Sequence, residues 1–187
     1  MTDLNLQLFH WINLSPQAPG VLLWLARVAS TVLPSALVVG VLSLLLVPDR
    51  AWRRLVLLTL LAMLLAALVS RGLSSAWPVP RPFAQGLGHQ WLAHKPTPSF
   101  PSSHASVAFA FGFALWRLVP HRLGRWVPLG LALLVGWSRL ALDLHFPLDV
   151  LAGVAVGALS WVLAHTLLAR IARRRAAVGA PVPLRRS

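Results

Sequence analysis

The stretch Ser138-Arg139-Leu140-Ala141-Leu142-Asp143-Leu144-His145-Phe146-Pro147-Leu148-Asp149 sets an arginine, a histidine and an aspartate at fixed spacing beside a long apolar run. Ionisable groups next to hydrocarbon are costly, and membrane proteins that keep them there generally use them. Asp149 follows His145 by four residues, a spacing that lets a carboxylate fix the tautomer of an imidazole and stabilise its cation. Two further clusters lie upstream. In Pro80-Arg81-Pro82-Phe83, prolines restrict the backbone around a guanidinium whose planar fork of donors suits phosphate oxygens. In Phe100-Pro101-Ser102-Ser103-His104-Ala105, Pro followed by Ser marks a helix start, where free backbone N–H groups and two hydroxyls can receive an anion. Each cluster also has an ordinary reading: an arginine on lipid headgroups, a helix cap with an interfacial histidine, a structural ion pair. Together they supply the donors and the acid–base pair of a phosphate-handling site.

These residues sit in a strongly apolar chain. Of its 187 residues 57% are hydrophobic and only 11% charged, with mean hydropathy +0.72, whereas a soluble domain of this size would carry about 25% charged residues. The expectation is an all-α integral membrane protein of one domain, residues 1–187, with about five transmembrane helices and a short N-terminal interfacial helix. That helix, Leu4 to Leu14, carries Phe9, Trp11 and Ile12 and stops at Ser15-Pro16, so 1–19 reads as interfacial helix and turn. The spans are expected over Gly20–Val47 with a kink at Pro34, Leu55–Ser75, from after Pro101 to Val119, Val127–Leu142, and Pro147–Ile171. Residues 77–100 form the one long loop, a length usually reserved for function or disorder, and 172–187 a basic cytoplasmic tail. The first residues lack the basic and apolar regions of a signal peptide, and the absence of cysteine excludes disulfides and thiolate metal sites.

The formal charge of +13 could suggest nucleic acid, but the placement of the arginines argues against it. Arg50, Arg53 and Arg54, then Arg117, Arg122 and Arg125, then Arg170, Arg173, Arg174, Arg175, Arg185 and Arg186 put twelve of the seventeen basic residues on one side of a five-span bundle. The positive-inside bias makes that side cytoplasmic. Arg81, Lys95, Arg139, His104, His145 and Asp149 then share the outer side, with Arg27 and Arg71 in the outer halves of the first two spans. Trp52, Trp77, Trp126 and Trp137 near the span ends fit an aromatic belt.

Arg81, Ser102-Ser103-His104, and Ser138-Arg139 with His145 and Asp149 resemble, in order and spacing, the second half of the first motif and all of the second and third motifs of the type 2 phosphatidic acid phosphatase superfamily. The motifs cover Ser74 to Asp149. The family's first motif begins with a lysine seven positions before the arginine, and Ser74 stands there in this chain, so one phosphate contact is missing unless Ser74 or Arg71 supplies it. Size, the short N-terminal helix, the Pro-Arg-Pro-Phe run, the missing lysine and Phe100 before Pro101-Ser102 make the chain similar to small bacterial undecaprenyl-diphosphate phosphatases of the bacitracin-resistance type.

The resemblance implies His145 as nucleophile forming a phosphohistidine, Asp149 orienting it, and His104 as proton donor to the leaving oxygen. Arg81, Arg139, Ser102, Ser103 and backbone amides would hold the phosphate oxygens. The only acids are Asp3, Asp49, Asp143 and Asp149, so no carboxylate cluster invites a metal, and no cofactor is expected. Asp143 reads as a local hydrogen-bond partner, and His89, His94 and Lys95 as candidates for the second phosphate of a diphosphate. The implied function is removal of the terminal phosphate of undecaprenyl diphosphate at the outer face of a bacterial inner membrane. The alternatives are a phosphatidylglycerophosphate or phosphatidate phosphatase, a lipid phosphotransferase, or a non-catalytic lipid-binding or transport protein. The last needs no nucleophile with an orienting acid.

Overall fold

The computed structural model describes residues 3–46, 49–116 and 124–178, and the described residues are helical with no strand. The helices are α1 (Asp3–Ile12), α2 (Gly20–Thr31), α3 (Leu33–Ser43), α4 (Arg50–Ala76), α5 (Ser103–Trp116), α6 (Trp126–Ala141) and α7 (Pro147–Val178). Local sequence accounts for their ends. Pro34 has no N–H to offer the carbonyl of Ser30, and the first long apolar stretch breaks there into α2 and α3, which diverge by 46°. Pro78 disfavours helical geometry at Trp77, and α4 stops at Ala76. Pro147 occupies the first turn of α7, where its fixed φ and missing N–H cost nothing.

Among the described residues two helices are long and apolar enough to cross a bilayer alone, Trp52–Ala76 and Pro147–Arg175, and the bent pair α2–α3 has the length and hydropathy of a third span when its two helices are counted as one. The apolar helices α5 and α6, at 14 and 16 residues, extend only about 21–24 Å at 1.5 Å per residue, short of the ~30 Å hydrocarbon core. Length therefore gives two spans, or three with the bent pair, among the described residues, where the sequence predicts five. The last helix also runs past Ile171 to Val178, so Arg173, Arg174 and Arg175 stand on helix. Arg117, Arg122, Arg185 and Arg186, which entered the charge argument, lie outside the described residues.

Helix α5 is the hub, packed against α4, α6 and α7. It is apolar on every side, and Ala105, Ala108, Phe109, Ala110, Phe111 and Ala114 are all buried. Gly153 and Gly157 let α7 come close to it: a Cβ on Gly153 would lie 2.8 Å from that of Ala105, and one on Gly157 2.8 Å from the Ala110 nitrogen. Outward-facing Leu57, Leu64 and Leu68 on α4 and Leu151, Leu159 and Val162 on α7 are exposed, as lipid-facing positions are. This packing gathers the end of α4, the start of α5, the end of α6 and the start of α7 at one end of the bundle.

Helix α1, expected at the interface, is tied into that end. Asn5 and Phe9 are buried, Phe9 packs on Phe146 with ring centroids 5.3 Å apart, and Asn5 Oδ1 accepts the Leu148 N–H at 3.1 Å, capping α7. Trp11 on its opposite face is 82% exposed.

Candidate active site

His145 lies in the connector between α6 and α7, and the carbonyl of Arg139 accepts both the Leu144 and His145 N–H groups, folding the connector back onto α6. Its ring is buried, 2% exposed. Arg81 Nη1 lies 3.0 Å from His145 Nε2. A guanidinium only donates, so Nε2 is the accepting nitrogen and the ring proton sits on Nδ1. Burial pushes the pKa of His145 below that of free imidazole; Asp149 opposes this, while Arg139 and Arg81 push it further down. The ring is a neutral imidazole with its lone pair on Nε2, the state a nucleophile requires.

The carboxylate of Asp149 does not reach the ring directly. Nδ1 and Asp149 Oδ2 are 3.6 Å apart, and Ser99 stands between them. Its Oγ lies 3.3 Å from Nδ1, accepts that N–H, and donates its own proton to Oδ2. Ser99 is fully buried. Sequence reasoning missed it, because a serine two residues before Pro101 in a polar loop has nothing to set it apart. Asp149 is held by α7 itself: it is the third residue of the helix, and Oδ2 also accepts the Phe146 N–H at 2.8 Å, the return half of a capping box. The i,i+4 spacing of His145 and Asp149 does not form a helical pair because His145 precedes the helix.

The two arginines differ in their commitments. Arg81, 6% exposed, donates Nε to the Thr97 carbonyl at 2.9 Å, Nη2 to Thr97 Oγ1 at 3.2 Å and to the Pro98 carbonyl at 3.3 Å, and Nη1 to the Leu144 carbonyl at 2.9 Å and to His145. All five of its N–H groups are used, and burial lowers its pKa against the pull of Asp149. Arg139, 2% exposed, gives Nη1 to Ser30 Oγ on α2 and leaves Nε and Nη2 buried without a partner among the described residues. Orphaned donors on a buried charge are expensive, so this guanidinium is built to receive an acceptor.

At the start of α5, Ser102 is fully buried; its N–H donates to the Asp149 carbonyl at 3.0 Å and its Oγ caps the helix by accepting the Ala105 N–H at 3.5 Å. Ser103 and His104, one and two residues further on, face two cavities. A polar one of about 310 Å³ is lined by Arg71, Ser74, Ser75, Arg81, Thr97, Pro98 and Ser103. An apolar one of about 280 Å³ runs between α3, α4 and α5 past Leu37, Val38, Met63 and Val107, with Ser103 and His104 at its head. Ser74, in the place of the missing lysine, lines the polar cavity beside Arg81, and Arg71 lines it too.

The long loop is pinned over this end. Asp143 Oδ2 accepts the His89 N–H at 2.8 Å, Trp91 Nε1 donates to the Leu14 carbonyl at 3.2 Å, and Arg27 Nη2 to the Trp91 carbonyl at 3.3 Å. Gly88, at φ +71, rests on the Asp143 carboxyl, where a Cβ would come within 2.5 Å. Burial raises the pKa of Asp143, partly offset by the His89 N–H. Asp143 is thus a loop tether, and His89, stacked 5.6 Å from Trp91, belongs to the same anchor. Among the described residues no group of three His, Asp or Glu side chains could hold a metal.

The family profile described as "PAP2 superfamily" matches residues 55–173, which is most of the chain and all three clusters. The chain belongs to the PAP2 superfamily. It is 34% identical over 174 residues to "Putative undecaprenyl-diphosphatase YbjG" of Escherichia coli (strain K12), covering 89% of this chain and 84% of that one. It is 28% identical over 160 residues to "Bacitracin transport permease protein BcrC" of Bacillus licheniformis, covering 85% and 78%. The crystal structure of Aquifex aeolicus LpxE superposes with a TM-score of 0.70 at 25% identity over 88% of this chain and 96% of that one. The protein is a PAP2 phosphatase, a membrane hydrolase similar to proteins named as undecaprenyl-diphosphatases.

Proposed function

We propose that this PAP2 protein removes the terminal phosphate of undecaprenyl diphosphate through a phosphohistidine on His145. The observation that carries the reading is the pair of cavities sharing Ser103: a cationic, hydroxyl-lined chamber for a phosphate head, continuous at one residue with an apolar channel for a chain. An amphiphile laid across both puts its chain on the His104 side. There the leaving oxygen, which stays with the lipid, meets the proton donor.

The reaction follows from the donors. The incoming phosphate takes up the free Nε and Nη2 of Arg139 and competes for Arg81. Phosphate oxygens are stronger acceptors for a guanidinium than a neutral imidazole is, so Arg81 Nη1 moves from Nε2 to the phosphate and frees the lone pair. Nε2 then bonds to phosphorus as the bridging P–O bond breaks, and His104 gives its proton to the departing lipid phosphate. The ring is now cationic, and its Nδ1–H is held through Ser99 by Asp149. Water, giving its proton to His104, hydrolyses the N–P bond and releases inorganic phosphate.

In this reading α5 and α6 complete five spans, the site faces the outside of a bacterial inner membrane, and the arginines after α7 face the cytoplasm. Phosphate release from undecaprenyl diphosphate, phosphatidylglycerophosphate and phosphatidate by the purified protein in detergent tests it. The diphosphate should have the highest kcat/KM, and a clear preference for either phospholipid would reject the substrate.

A further inference from the structure

The phosphate that stays on the lipid has no place in the scheme so far, since Arg81, Arg139 and His145 all serve the one that leaves. Such a phosphate must lie between the reacting centre and the apolar channel. Among the described residues only Ser103 lines both cavities, so the position is next to Ser103 on the side of the polar chamber. The facing wall is α4. There Arg71, Ser74 and Ser75 fall at i, i+3 and i+4 on one helical face, two turns beyond Met63, which lines the apolar channel. Ser75 Oγ donates to the Arg71 carbonyl at 3.1 Å. The Arg71 guanidinium, in contrast to that of Arg81, forms no hydrogen bond or ion pair among the described residues, and the residue is exposed and lines the chamber.

Resting on the proposed lipid-phosphatase reading, we infer that Arg71, with Ser74, forms a subsite for the non-transferred phosphate of a lipid diphosphate, and that this subsite sets the preference for diphosphates over monophosphate esters. The other basic candidates line neither the chamber nor the channel. His94 and Lys95 line a separate, open cavity with Gln90 and Ala93, which shares no lining residue with the apolar channel. His94 also has Nδ1 engaged with the Lys95 carbonyl at 2.9 Å. A phosphate attached to a chain in the channel and resting in the polar chamber meets Arg71, Ser74 and Ser75 of α4, whereas His94 and Lys95 line neither of these two cavities.

The test uses the full-length protein in detergent with undecaprenyl diphosphate and phosphatidate as paired substrates. Replacing the guanidinium in Arg71→Gln removes a charge-assisted contact to one phosphate, which corresponds to roughly tenfold to hundredfold in kcat/KM. The ratio of kcat/KM for diphosphate over monophosphate should therefore fall by about tenfold or more, Arg71→Lys should recover part of it, and Ser74→Ala should lower it less. Thermal stability should stay within error, because the side chain holds nothing in place. An unchanged ratio, or an equal loss on both substrates, overturns the inference while leaving the phosphatase reading intact. A parent protein that releases no phosphate from either lipid, or only from phosphatidate, overturns the reading beneath it.

Discussion

Removing one buried hydroxyl, in Ser99→Ala, separates the nucleophile from its orienting acid without touching either. In the resting site the Nδ1–H of His145 reaches Asp149 only through Ser99, since the direct separation is 3.6 Å, beyond hydrogen-bonding range. When Nε2 takes up phosphorus the ring becomes cationic, and the chain from Nδ1 through Oγ to the carboxylate strengthens, so its loss falls on the transition state. A hydrogen bond involving a charged group contributes about 1.5–3 kcal/mol, and at ~1.36 kcal/mol per decade this predicts a fall in kcat of roughly 10- to 150-fold. Asp149→Asn should cost more, of order 10⁴ by the logic of a related triad, because it removes the charge as well. Stability should drop by only ~1 kcal/mol, since Asp149 keeps the Phe146 N–H. Steady-state phosphate release and thermal unfolding in the same detergent measure both quantities. In Ser99→Ala/Asp149→Asn the serine has nothing left to relay, so the double variant should match Asp149→Asn alone. A kcat within threefold of the parent, a loss confined to KM, or full additivity in the double variant would refute the relay.

Burial holds His145 at a pKa of about 4, below the 6.5 of free imidazole, so the folded protein binds fewer protons there than the unfolded chain. The stability tied to this group is whole above pH 6.5 and is lost as the pH falls toward 4; the Tm in detergent should decline across that window, and less so in His145→Asn. An equal decline in both would remove the assignment. Vanadate, which can mimic the transferring phosphoryl group, should inhibit, and chelators should leave turnover unchanged. Restoration by Mg²⁺ of chelator-inactivated enzyme would contradict the metal-free route. In this cysteine-free chain, Gln90→Cys should react with an impermeant maleimide on intact spheroplasts and Ala176→Cys only after permeabilisation. The reverse pattern would put the site in the cytoplasm.

The candidate site residues stand out in the sequence because their types are conspicuous in an apolar chain: Arg81, His104, Arg139, His145 and Asp149 have few polar neighbours to be confused with. Helix positions were legible for the same reason, and Pro34, Pro78 and Pro147 mark real breaks and starts. What escaped was what depends on three-dimensional closure. Ser99 is an ordinary loop serine until the loop folds over α7. Asn5 and Phe9 look like part of a surface helix until Leu148 and Phe146 meet them. The Gly153-x-x-x-Gly157 pair is visible in the sequence, but only the close approach of α5 shows what it is for. Arg139 and Arg81 look alike as residues, yet Arg81 has every donor engaged and Arg139 has two nitrogens without a partner among the described residues. That difference comes from the carbonyls of the folded loop, which no spacing rule anticipates.

The central claim is that His145 attacks phosphorus, and the most direct test is phosphate release from undecaprenyl diphosphate by the parent protein and by His145→Gln, both shown to be folded by thermal unfolding in detergent. The parent should release one phosphate per lipid and leave the monophosphate, while the variant should fall to background, since removing the nucleophile removes the covalent route. Turnover by folded His145→Gln within about tenfold of the parent would contradict the account.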